Sequence, residues 1–195
     1  MLALARDVKG LRGFSFISTA YIMGRDAGDL GEGRHFNIAG FVNTYEESKH
    51  EAEAFVFASM DEIPAAIFRL SSVAGECPGY LQQALRLIPH NRFPLIPALA
   101  DGRVDLIDER WACSALDALF ERHFRPGAVF NICAGKRGAI RVGELIEMAF
   151  SSLGTPQPSL VSPERFERFA ELVLGNGERG ADRLMLRSQI GRAHV

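Results

Sequence analysis

The sequence predicts an α/β fold in which the chain supplies one half of a doubly wound parallel sheet. Three observations carry that expectation. Three apolar runs, Phe14–Ile17, Ile63–Leu70 and Ala128–Cys133, have the length and composition of buried strands. Helical patterns separate them, and strands joined by helical crossovers lie parallel. The first run stops at Ser18-Thr19, the second at Ser71-Ser72 and the third at Ala134-Gly135. In open α/β sheets the crevice for ligands lies outside the strand carboxyl ends, so a hydroxyl at Ser18 or Thr19 would face it.

Taken in order, Met1 to Lys9 reads as the end of a helix closed by Gly10. After the first strand, Gly24 to Val42 is polar and Gly-rich and forms a loop, either a mobile connection or a flap. Thr44 with Glu47 three residues later fits a capping box, which starts a helix at Tyr45 that runs to about Met60. Its stripe holds Tyr45, Lys49, Ala52 and Val56, with Glu46, Glu47 and Glu53 elsewhere on the circumference. The second strand follows. Residues Glu76 to Arg103 are rich in proline and hold one short helix, Tyr80–Ile88; Arg86, His90 and Arg92 in this region could meet an anionic substrate tail, but solvated surface charge is the better reading.

Val104–Ile107 is a brief strand, and Arg110–His123 a helix with Trp111, Ala115, Leu119 and Phe120 inward. The third strand leads to a helix, Val142–Leu153, with Leu145, Ile146, Ala149 and Phe150 inward. Ser162 caps a further helix, Pro163–Leu174. Gly175, Gly177 and Gly180 spell a dinucleotide fingerprint, but no strand precedes them and no β-α-β unit follows, so a helix-ending turn is the better reading. Residues 190–195 carry no apolar period and read as a non-native tail.

Composition narrows the class. The chain has 195 residues, 47% hydrophobic and 24% charged, with net charge −2. That is enough for a sizeable core and gives no electrostatic case for nucleic acid or an anionic membrane surface. No apolar run approaches the roughly 20 residues of a membrane helix, and Met1–Arg6 is too short for a signal peptide. Cys77, Cys113 and Cys133 are odd in number and far apart, which suggests reduced, buried thiols in a cytoplasmic protein. The five histidines lack metal-ligand spacing, so no metal site is expected.

The chemistry gathers around one pair. Tyr45 and Lys49 are four residues apart and share a helix face. A tyrosine hydroxyl is a weak acid, and a cation one turn away favours its ionised form, which suits it to proton transfer near neutral pH. Thr19 at a strand end could hold a substrate oxygen by a hydrogen bond as charge develops there.

The segments S-T-A-Y-I-M-G (Ser18–Gly24) and F-V-N-T-Y-E-E-S-K-H-E-A-E (Phe41–Glu53) resemble the active-site region of the extended short-chain dehydrogenase/reductase superfamily. They are most similar to its thioester-reductase and fatty acyl reductase (male sterility) branch. The resemblance runs from about Leu2 to Leu153. It implies a Rossmann-like fold, partial here over 1–75 and 127–153, with a smaller substrate-binding region over 76–126 and 154–189. It implies Thr19, Tyr45 and Lys49 as the catalytic set, with Ser18 as fallback for Thr19. Tyr45, Lys49, Ser71 and Ser72 would contact the cofactor, NADP or NAD. Leu70 stands where the family usually has a proline after the arginine at 69.

The implied activity is hydride transfer to an acyl thioester or the derived aldehyde. A nucleotide-sugar epimerase or dehydratase would use the same residues. A non-catalytic binding or redox-sensing protein on this fold is the reading from a different class. The family's glycine-rich dinucleotide loop precedes the matched segment and is not found in this sequence, so the chain is expected to be a fragment, inactive alone. A small-molecule partner is implied, and a homodimer is compatible with the resemblance.

Overall fold

The computed structural model describes residues 1–76, 95–154, 156–166 and 168. The predicted helix Tyr80–Ile88, Cys77, the charges Arg86, His90 and Arg92, the 175–180 glycines and the 190–195 tail lie outside the described residues. The chain divides into two compact units: residues 1–75 with 107–134, and residues 76–106 with 135–195.

The first unit is an α/β layer. Helix α1 (Leu2–Asp7) is followed by Gly10, whose φ of 72° suits a residue without a Cβ. Strand β1 (Phe14–Thr19) ends in a short 3₁₀ turn, Ala20–Met23, for which Thr19 is the N-cap. Helix α2 (Thr44–Ser59) leads to β2 (Ala65–Leu70), which continues almost directly into β3 (Ser72–Ala74). In the second unit, β4 (Leu95–Pro97) and β5 (Arg103–Val104) precede β6 (Leu106–Asp108), where the chain returns to the first unit. Helix α3 (Glu109–Glu121) and β7 (Val129–Ile132) complete that first unit. Strands β1, β2 and β7 form a parallel sheet in that order, as the alternating strand and helix pattern predicts.

Register decides what each face of the sheet carries. Phe14, Phe16 and Ser18 align with Ala65, Ile67 and Arg69, while Val129 and Asn131 align with Ile67 and Arg69. Aligned residues of neighbouring strands share a face. The apolar members of this row pack on Ala5, Val56, Phe57 and Met60 of α1, α2 and the residue after α2. At the carboxyl end the same row turns polar: Ser18, Arg69, Asn131. The opposite face carries Ala66, Phe68, Phe130 and Ile132, packed on Ala112, Ala115, Leu116 and Leu119 of α3. Asp108 caps α3 by accepting from the Trp111 amide. Trp111 and Phe120, expected inward, are instead half exposed, because Ala112 and Leu116 take the face toward the sheet. Cys113 lies exposed on the same helix and Cys133 is half-buried, so neither is the buried thiol expected.

In the second unit β4 pairs in parallel with β9 (Ser159–Val161), and β5 pairs antiparallel with β8 (Ile140–Arg141). The expected strand Val104–Ile107 is divided between β5 and β6. The four-residue helix α4 (Gly135–Gly138) joins β7 to β8, and α5 (Val142–Ser152) buries Val142, Ile146 and Phe150 with Ile96. Ser162 accepts from the Arg165 amide and so caps the turn that starts at Pro163.

Phe68 is fully buried and stacks on Phe130 with ring centroids 5.3 Å apart. Its truncation removes the centre of the α3-facing core. Phe68→Ala is expected to lower the unfolding free energy by about 3–5 kcal/mol. Urea denaturation with an unchanged slope and a lower midpoint is the check.

Candidate active site

The polar end of the sheet is built around Arg69. Its side chain is completely buried in a strand that is otherwise apolar. A guanidinium cannot be neutralised there and must be fully paired. Nε donates to Glu53 Oε1 at 2.9 Å and Nη2 to Glu53 Oε2 at 2.6 Å, a two-pronged pair with the middle of α2. The remaining donors reach the Gly-rich loop: Nη1 to the Gly31 carbonyl at 3.0 Å and Nη2 to that of Gly33 at 2.9 Å. Asn131, the next residue in the aligned row, donates from Nδ2 to the Leu30 carbonyl at 2.7 Å. Its amide donates in turn to the Glu32 carboxylate at 2.9 Å.

The loop is also bonded along its sides. Arg25 donates its amide to the Gly40 carbonyl, and Asn37 bridges the Met23 carbonyl and the Gly40 amide. Gly24 sits at φ 61°, and a Cβ there would meet the Gly40 carbonyl oxygen at 2.5 Å, so this position needs glycine. Asp26 accepts from the Ile38 and Ala39 amides, with His35 Nε2 3.0 Å from its Oδ2. Residues 24–42 are thus hydrogen-bonded along both sides, which neither expectation, a mobile connection or a flap, anticipated.

Helix α2 starts one residue earlier than predicted, at Thr44, and its cap is Asn43, not Thr44. Asn43 Oδ1 accepts from the Glu46 amide, and Glu46 reaches back to the Val42 amide and to Asn43 Nδ2. This reciprocal cap buries Glu46, and the Arg69 pair buries Glu53, so both carboxylates lie on the inward face where apolar periodicity had excluded them. Lys49 lies between them on the same side. Its Nζ donates to the Ile17 carbonyl of β1 at 3.1 Å and stands 5.4 Å from the Phe16 ring centre.

Thr19 ends β1 and is 4% exposed. Its hydroxyl donates to the Leu70 carbonyl and accepts from the Tyr21 amide, both at 3.2 Å. Tyr45 is in the first turn of α2 and 45% exposed. Ser71 is buried, and neither its hydroxyl nor that of Ser18 has a hydrogen-bond partner among the described residues. Ser72 instead shares a 2.7 Å hydrogen bond with the Tyr21 hydroxyl. The structure therefore brings Lys49 onto the backbone of β1 two residues before Thr19, and sets Ser18 and Ser71 as unpartnered hydroxyls at neighbouring strand ends. The residues that sequence reasoning missed are Glu53, Arg69 and Asn131. An arginine inside an apolar strand run was the available signal, since it requires a buried carboxylate.

This architecture is that of the NAD-dependent epimerases and dehydratases. A UDP-glucuronic acid 4-epimerase from Bacillus cereus, in complex with UDP-glucuronic acid and NAD, is similar at TM-score 0.61 and 18% identity. The similarity covers 83% of this chain and 52% of that one. A dTDP-glucose 4,6-dehydratase from Bacillus anthracis str. Ames, in complex with NAD, matches at TM-score 0.59 and 19% identity, covering 76% and 49%. A nucleoside-diphosphate-sugar epimerase from Pseudomonas aeruginosa matches at 0.64 and 18%, covering 90% and 55%. The chain spans about half the length of these proteins. Over residues 1–90 it matches a family of NAD-binding domains described as male sterility protein. Together these bear out the resemblance to the extended short-chain dehydrogenase/reductase superfamily. No curated protein matches the sequence.

The loop has a pH signature. The Ala39 amide, opposed in part by burial and helped by the Ile38 amide and His35, holds the Asp26 carboxyl below its ordinary 3.8. A depressed folded-state value stabilises the fold above 3.8, and that contribution is lost as pH falls through the folded value. Asp26→Asn is expected to be less stable than the parent at pH 7, with the gap closing below pH 3.8. Thermal unfolding midpoints across pH 2–7 are the check; a pH-independent gap contradicts it.

Proposed function

We propose that this chain carries the catalytic residues of an NAD(P)-dependent reductase of the extended short-chain type, acting on an acyl thioester or the derived aldehyde. The observation that carries the reading is the seating of Lys49. Its ammonium docks on the Ile17 carbonyl, which ties the helix bearing Tyr45 to the strand that ends in Thr19. The residues fit a nicotinamide nucleotide: the buried, unpartnered Ser71 hydroxyl supplies a hydrogen-bonding group at a strand carboxyl end, where dinucleotides bind in this fold class. That cofactor, when bound, supplies the hydride.

The protein's own part is orientation and proton transfer. Thr19 turns its O–H from the Leu70 carbonyl to the substrate oxygen while still accepting from the Tyr21 amide, so one rotation converts a strand-end tether into a substrate hydrogen bond. Tyr45, exposed enough to meet substrate, delivers the proton to that oxygen. Lys49 binds the ribose hydroxyls and keeps a positive charge on the side of α2 that faces β1. A second reading, a nucleotide-sugar epimerase or dehydratase, is favoured by the named activities of the similar structures and uses the same three residues. Net consumption of NADPH or NADH separates the two, because epimerisation returns the cofactor to its starting state.

In the full-length gene product, an acyl thioester or aldehyde is expected to drive NADPH or NADH oxidation. Tyr45→Phe should remove about 10²–10⁴-fold of the rate, the usual worth of a positioned acid. Lys49→Met should weaken cofactor binding as well as rate, whereas Thr19→Ala should lower the rate with less effect on binding. Steady-state kinetics with cofactor titration are the check. Full activity in Tyr45→Phe would sink the mechanism.

A further inference from the structure

We propose that residues 24–42 form a fixed wall of the site and that Arg69 is the positioning residue that registers this wall and helix α2 against the sheet. That these residues border a catalytic site rests on the reductase reading above; the tethering of the loop and α2 by Arg69 does not.

One side chain joins three elements. Arg69 is rooted in β2, grips α2 through Glu53, and holds the loop tip through the Gly31 and Gly33 carbonyls. The loop leaves the end of β1, passes Arg69 on β2 and reaches Asn131 on β7, so it crosses the carboxyl ends of all three strands. At its far side the Glu32 carboxylate takes the Asn131 amide, which closes a backbone donor of β7.

A lid that opened each cycle would expose a buried cation stripped of two of its acceptors. Glu53 still balances the charge, so what opening costs is the two charge-assisted hydrogen bonds to the loop carbonyls, which a loop held only by its own side chains would not lose. The same guanidinium fixes how far α2 slides along the sheet. A slide carries Lys49 off the Ile17 carbonyl, and misplacement of about 1 Å can cost about 10²-fold in rate. A lysine at 69 keeps the charge but has no planar fork, so it cannot serve Glu53 and both loop carbonyls together.

The test uses hydrogen exchange and kinetics on the full-length gene product, comparing Arg69→Lys with the parent. Glu53→Gln, which keeps shape and one acceptor, stands in if Arg69→Lys does not fold. The expected result is that the Asn131 amide, together with Ile38 and Ala39, exchanges at least about 10-fold faster, while amides within the β1–β2 ladder change little. The second expected result is a fall of kcat by at least about 10-fold together with weaker cofactor binding, the pattern that follows when Lys49 is displaced. Unchanged Asn131 exchange, or acceleration spread evenly over the whole unit, overturns the wall. Altered exchange with kcat unchanged overturns the positioning role alone. If the parent reduces no substrate, the reductase reading fails while the exchange result still decides the wall.

Discussion

A buried arginine in the middle strand is the constraint on which the rest of the site depends. The carboxyl end of the sheet is polar, and a connection bonded through its backbone passes over it. Arg69 joins the two. Its charge is balanced by Glu53, and the donors left over reach the Gly31 and Gly33 carbonyls of the loop. Replacing such a pair with apolar residues can be neutral for stability, but removing one member typically costs about 3–5 kcal/mol. The pair is therefore better understood as specifying geometry than as adding net stability.

The consequences follow outward along the aligned row. Below Arg69 the α2 face of the sheet is wholly apolar, and Val56, Phe57 and Met60 seat on it. Above, Ser18, Arg69 and Asn131 form a polar tier, where Glu53 pairs with Arg69 and the loop meets Arg69 and Asn131. Helix α2 consequently has two characters on one face, apolar toward its carboxyl end and charged toward its amino end. That charged half carries Glu46, Lys49 and Glu53, each committed to a different backbone or side-chain partner. Lys49 is placed by this arrangement and not by its own bond alone.

Much of this was legible in the chain. The three strands were readable because each is a short apolar run, and their parallel order because helices separate them. Tyr45 and Lys49 were readable from spacing and from the surrounding motif. The start of α2 was misplaced by one residue because Asn43 and Thr44 are both good caps; the contest is decided by Glu46, whose return bond to Val42 favours Asn43. Periodicity put Glu53 outside because it counts apolar residues, and a buried ion pair violates that rule at both positions. The loop conformation was hidden for a different reason. Its tethers come from residues 36, 38 and 101 positions away in sequence, which no local pattern encodes.

Arg69 and Glu53 act as one unit, and a double-mutant cycle on the unfolding free energy measures that directly. Arg69→Met and Glu53→Gln each leave a buried group without its partner, and the double variant leaves no buried charge at this position. The predicted result is a double variant that loses much less stability than the two single losses added together. Single losses that add to within about 0.5 kcal/mol would mean the two residues act independently, and would contradict the central claim.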